Sequence, residues 1–283
     1  MTMKIKMKLL VLAVTLIFAF VFISGDKKIN VRPQKKVLRI GVECEYAPNN
    51  WEERKQSDFN LPISNHQGYF ADGYDVQIAK LIAAELKAEI EIKKISWNDL
   101  IPALNNGEID VIFSGMLDTD ERKAQAAFTD IYEAHKTEYT IIVNNQSKYV
   151  GAKKFSDFTG ARIIAQKGTN LDAVIDQIPG VIHVNPVNTV NEMIKSIVDF
   201  KVDGAVINLD TGRSYEATYK NLTVIRFPEN EGFVLGFTGI CAAVRKNDTE
   251  LLHRINNALK TIEPNERRRI MDRTVSRLWK SIS

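Results

Sequence analysis

The sequence predicts an α/β protein of two lobes, each a mostly parallel sheet flanked by helices. Three observations carry that expectation. Strand-like and helix-like segments alternate from about residue 37 onward, the pattern of consecutive βα units. The alternation restarts after the apolar run TEYTIIVNN (137–145). The two halves also echo one another, NNGEIDVIFSGMLDT against DFKVDGAVINLDT, each with a helix end, an acidic residue, an apolar strand and an Asp-Thr turn.

In order along the chain, KVLRIGVEC (36–44) reads as a strand. GYDVQIAKLIAAELKA (73–88) sets Val76, Ile78, Ala79, Leu81, Ile82 and Leu86 on a broad apolar helix face. EIEIKKI (89–95) alternates with period two, the mark of a half-buried strand. In SWNDLIPALNNG (96–107), Ser96 is placed to cap a helix, Asp99 follows three residues later, and Gly107 ends it. IDVIFSG (109–115) is a continuous apolar strand of the parallel-sheet kind. The stretch FSGMLDTDERKAQAAFTD (113–130) then turns from strand into helix. In the second half ARIIAQ, LDAVIDQI, VIHVNPV, TVNEMIKSIVDF and VDGAVINLD alternate again, and a block from residue 237 adds a strand and helices. The expected division is 37–143 with 237–283 for lobe 1 and 148–232 for lobe 2. Hinges are expected near 143–147 and 232–236. The polar segment 52–71, with Pro62 and Gly68, is expected as a loop or hairpin at a cleft rim.

Charge and targeting narrow the function classes. Of 38 Lys and Arg residues against 35 Asp and Glu, the excess is met by Lys4, Lys6 and Lys8 alone. The body beyond residue 25 is therefore balanced, which argues against a nucleic-acid binder. Residues 1–25 join that basic start to a charge-free apolar run, 9–23, shorter than the roughly 20 residues a span needs. The segment reads as a signal peptide of an exported, periplasmic or cell-surface protein. Phe22 and Ile23 make a poor cleavage site beside Ser24 and Gly25, so an uncleaved anchor stays open. No Cys follows the run, which excludes a lipidated cysteine there. Cys44 and Cys241 sit in apolar strand surroundings and are expected as buried free thiols, with a bridge between them as the alternative in an exported protein.

Ligands of open α/β sheets sit beyond the carboxyl ends of strands, which makes SGMLDT (114–119), QKGTN (166–170) and NLDT (208–211) candidate edges. There Ser114 and Gly115 end a strand, and Gly168 admits a close backbone approach. Arg122 offers a planar fork for a carboxylate beside a helix start. The competing reading pairs Arg122 with Asp118 or Glu121 on its own surface. Trp97 and Tyr46 would line a cleft, or simply pack. No nucleophile motif, metal-spaced histidine pair or phosphate loop is present, and no cofactor is expected.

YAPNNW, GYDVQIAKLIAAEL, WNDLIPALNNGEIDVIFSGM and TDERK followed by FTDIY together resemble the extracellular solute-binding proteins of family 3, the polar amino acid receptors of bacterial ABC importers. The resemblance runs from about residue 37 to 275. It implies the type II periplasmic-binding-protein fold, with two crossover hinge strands that close on ligand, a monomer, and an ABC permease as membrane partner. It further implies that Arg122 clamps a ligand carboxylate with backbone N–H groups near Gly115 and Leu117, that Tyr46 and Trp97 enclose the ligand's stem, and that Glu43 reaches its polar end. Gln166, Gly168 and Thr169 would add donors from the second lobe. Two positions depart from the pattern: Leu117 stands where Ser or Thr is common, and Asn208 where an acid usually receives the α-ammonium, with Asp210 two residues on as a substitute. Rival expectations are an exported dehydratase on the same fold, with Glu43 as proton-transfer group, and a sensory or adhesive surface protein.

Overall fold

The computed structural model describes residues 36–133, 138–228, 231–234 and 239–282. The apolar N-terminal run, His135 and the expected hinge positions 235–236 lie outside them. The chain first forms β1 (Lys36–Val42), β2 (Glu45–Tyr46), β3 (Asn50–Glu53), β4 (Leu61–Pro62) and β5 (Phe70–Asp72). Next come α1 (Tyr74–Glu85), β6 (Ala88–Lys94), a 3-10 turn at Trp97–Asp99, α2 (Leu100–Asn105), β7 (Val111–Ile112), α3 (Asp120–Lys123) and β8 (Ala126–Phe128). The second half supplies β9 (Tyr139–Asn144), β10 (Arg162–Ile164), α4 (Asn170–Ala173), β11 (Ile182–His183), α5 (Val190–Val198), β12 (Gly204–Asn208), α6 (Leu209–Thr218) and β13 (Leu222–Ile225). β14 (Ala243–Arg245), α7 (Thr249–Lys260) and α8 (Pro264–Ile282) follow.

Two five-stranded sheets result, ordered β6-β1-β7-β14-β8 and β11-β10-β12-β9-β13. Each has three parallel strands followed by two strands paired antiparallel. The parallel core expected from the βα pattern is there, and the antiparallel additions make both sheets mixed. The two sheets therefore share one plan, and the sequence echo has a structural basis. Arg39 opens from β1 onto Asp110, one residue before β7. Its Nε donates to Asp110 Oδ2 at 2.9 Å and its Nη2 to Oδ1 at 2.7 Å. Arg162 on β10 repeats this with Asp203, one residue before β12, at 3.2 and 3.0 Å. The fork geometry makes each pair a staple between neighbouring parallel strands.

Alternation along the strands buries both faces of each sheet. In β9, Ile141 and Val143 pack with Phe158 and Ile175. Ile142 points the other way, onto Met193, Ile194 and Ile197 of α5. In the first sheet Ile40 and Val42 meet Ile78 and Ile82 of α1 and Ile255 of α7. Leu100 and Leu104 of α2 cover the opposite face with Ile112.

Four expectations change. Strand β9, of which 139–143 were assigned to lobe 1 and Asn144 to the hinge, pairs with β12 and β13 in the second sheet, because an apolar strand carries no mark of which sheet will take it. The 52–71 segment belongs to a four-stranded antiparallel sheet, β2-β3-β5-β4, anchored by buried Ile63 and Ala71. Leu81 is 40% exposed, since it falls outside the arc that the other apolar residues of α1 share. Ser96 does not cap the backbone: its hydroxyl bonds the Asp99 carboxylate instead.

Candidate functional site

The strand end at β7 leads into a turn that aims Arg122 inward. Thr119 caps α3, its Oγ1 accepting from the Arg122 N–H at 3.4 Å. This short helix holds Arg122 with only 9% of its surface exposed. Its Nη1 donates to the Leu117 carbonyl and its Nη2 to the Gly168 carbonyl, both at 2.9 Å. The guanidinium carbon lies 5.0 Å from the centre of the Trp97 ring, within cation–π range. Trp97 Nε1 donates to the same Gly168 carbonyl at 3.1 Å. The surface pairing that competed for Arg122 does not form: Asp118 is taken by Lys123 at 2.8 Å, and Arg122 has no ion-pair partner among the described residues. Burial lowers its pKa, with Glu121 and Tyr139 pulling upward.

On another wall, the Glu43 N–H donates to the buried Ser114 hydroxyl at 2.9 Å. The Glu43 carboxyl accepts from Gln166 Nε2, which also donates to the Asn188 carbonyl at 3.2 Å. Burial pushes Glu43 up to about 8, against the hydrogen bond from Gln166. Thr169 precedes α4 and donates to the Gln166 carbonyl at 2.7 Å. These contacts hold the QKGTN turn against the end of β1.

Gly115 sits at φ +62, and a Cβ there would come within 2.6 Å of the Tyr46 ring. Glycine is thus required both by the left-handed backbone and by the ring. Asp75 of α1 lies beneath, accepting from Tyr132 OH at 2.6 Å, Asn50 Nδ2 at 2.7 Å and the Gly115 backbone. From the second sheet, the Asn208 amide donates to Tyr46 OH, and Thr211 Oγ1 to the Ala47 carbonyl at 2.7 Å.

Nine expected residues line one cavity: Glu43, Tyr46, Trp97, Gly115, Leu117, Arg122, Gln166, Thr169 and Asn208. Three do not. Ser114 supports Glu43 from behind, and Gly168 contributes its carbonyl to Arg122 and Trp97. Asp210 faces a second cavity with Glu133, Glu138 and Asp272; Tyr46, Asn208 and Thr211 line both cavities. Asp210 thus lies on the far side of the wall that Asn208 shares between the two cavities. Sequence reasoning missed Tyr139, Leu171, Val190, Ile207 and Ile240, which add apolar wall. Tyr139 is the cross-strand partner of Asn208, a signal that exists only once β9 and β12 are paired. No cluster of metal-ligating side chains occurs among the described residues.

The chain is 26% identical over 262 residues to the arginine-binding extracellular protein ArtP of Bacillus subtilis (strain 168), covering 92% of this chain and 93% of that protein. It is 29% identical over 259 residues to the ABC transporter arginine-binding protein 1 of Escherichia coli (strain K12), covering 91% and 94%. A crystal structure of the substrate binding protein of an amino acid ABC transporter superposes with a TM-score of 0.69 at 26% identity, covering 84% of this chain and 98% of that one. With two sheets on one plan and a cavity lined from both, and with residues 38–275 matching the family description, the chain belongs to the bacterial extracellular solute-binding proteins, family 3.

Proposed function

We propose that this chain is the extracytoplasmic receptor of an ABC importer. It captures an amino acid or closely related small carboxylate between its lobes and hands it to a membrane permease. The observation that carries this reading is Arg122: a buried guanidinium at the cavity wall, bonded to two main-chain carbonyls and to no acid among the described residues. An arriving carboxylate would satisfy it with charge-assisted bonds that carbonyls supply less strongly. Trp97 beside it would hold the ligand's stem. The arginine-binding relatives support a polar amino-acid-like cargo. Export rests on the basic and apolar N-terminal segment, as a cleaved signal or an anchor, and on the family. Among the described residues no helix is long and apolar enough to cross a membrane.

The test begins with a thermal-shift screen of the twenty amino acids and their des-amino relatives, since a tight ligand raises stability by mass action. The best probe is then titrated calorimetrically into the Arg122→Ala variant. Affinity is expected to fall by about 100-fold or more, the scale of losing a bidentate charged hydrogen bond. Unchanged affinity removes Arg122 from the site and this reading with it.

A further inference from the structure

The cavity has a definite charge inventory. Among the described residues, Arg122 is its only cation and Glu43 its only acid; every other lining side chain is neutral. The two do not pair with each other: Glu43 accepts from Gln166, while Arg122 donates to the carbonyls of Leu117 and Gly168. A ligand whose carboxylate docks on Arg122 can therefore reach Glu43 with its far end.

An α-ammonium lies one carbon from its carboxylate and would fall on the Arg122 side. There Asn208 offers at most a neutral amide oxygen, and its NH2 is committed to Tyr46 OH. The acids Glu133, Glu138, Asp210 and Asp272 line the second cavity, with Tyr46, Asn208 and Thr211 forming the shared wall. A buried ammonium without an anionic partner is strongly disfavoured. Resting on the receptor reading above, we propose that the cargo is a monocarboxylate with a distal cationic or amide group and no free α-ammonium, the class of ω-guanidino, ω-amino and ω-amide acids. The distal group bonds Glu43 and Gln166. The apolar stem runs past Trp97 and Leu117, and Asn208 selects against the α-ammonium.

The test uses matched pairs on the intact chain, by calorimetry: L-arginine against δ-guanidinovalerate, L-lysine against ε-aminocaproate, and L-glutamine against glutaramate. Agmatine serves as the probe without a carboxylate. In whichever pair binds best, the des-amino member is expected to bind at least tenfold tighter, and Asn208→Asp is expected to reverse that order. An amino acid binding tenfold tighter than its des-amino partner overturns the proposal, as does a panel in which no des-amino member binds at millimolar concentration. Agmatine binding as tightly as δ-guanidinovalerate would instead overturn the carboxylate role of Arg122, so the two failures are distinguishable.

Discussion

Burial raises three carboxyls, the buried Glu43 and Asp75 to about 8 and about 7 and the half-buried Glu133 to about 8. Their unfolded values lie near 4, so between about pH 4 and 8 the native state holds more protons than the unfolded chain. The stability they contribute is complete below that interval, declines as pH rises across it, and is gone once pH has passed the folded values of about 7 to 8. Groups held low, such as Asp110 and Asp203, act in the opposite sense and only in more acid solution. Urea midpoints are therefore expected to fall from about pH 4 to 8 and to level off above, and Glu133→Gln should flatten the fall. A midpoint that climbs across this range would contradict the assignment. Glu43 adds a linked effect. If a distal cation ionises it, binding at neutral pH releases a proton, and calorimetric enthalpies should differ between phosphate and Tris buffers. Gly115→Ala forces a side chain into the left-handed region against the Tyr46 ring. It should cost about 1–3 kcal/mol by urea denaturation and weaken ligand binding in the same variant.

At the scale of elements, the two Arg–Asp staples invite a graded test. Asp110 accepts from Arg39 and also from Arg245 at 3.2 Å, with its side chain 16% exposed. Asp203 pairs with Arg162 alone among the described residues, and its side chain is 28% exposed. Asp110→Ala should cost about 2 kcal/mol and Asp203→Ala less, because water screens the second pair more; equal losses in chemical denaturation would refute the ordering. His183 joins Asp172 of α4 and Asp176 of the next turn, both at 2.9 Å. Burial opposes its charge, but these two bonds outweigh it and raise its pKa. Its contribution is therefore full below the unfolded value near 6.5 and fades as pH rises past the folded one. Because α4 carries the turn that lines the cavity, His183→Gln should loosen ligand binding more at acid than at alkaline pH, which a pH series of titrations would show.

For the whole molecule, contacts from Glu43, Tyr46, Ala47, Trp97 and Arg122 cross to Gln166, Gly168, Asn208 and Thr211. Weakening them with Trp97→Ala and Thr211→Val together should raise the radius of gyration in X-ray scattering, if the lobes part about a hinge. An unaltered curve would mean these bonds do not hold the lobes together. The legibility of this architecture in the sequence follows the same division by scale. Arg122, Gly115 and Trp97 were readable because a strand, a turn and a capped helix are local patterns. Tyr139 and Ile240 were not, since their place depends on which strands pair across a sheet. Asp210 parts from Asn208 because Asn208 ends the strand β12 in extended backbone while Asp210 lies in the first turn of α6, where it faces the neighbouring cavity. The lobe boundary moved for the same non-local reason, as Tyr139–Asn144 found partners far ahead in the chain.

Each sheet is fastened at the foot of its strands, where an arginine grips an aspartate, while the cavity wall begins at the other end of those strands. Gly115 lies just beyond one such strand, β7, and Ile207 and Asn208 end its counterpart, β12. The anchorage and the selective surface thus occupy opposite ends of the same ladder. Substitutions at the tips can therefore remodel the cavity wall while the knots that hold each half in shape stay untouched.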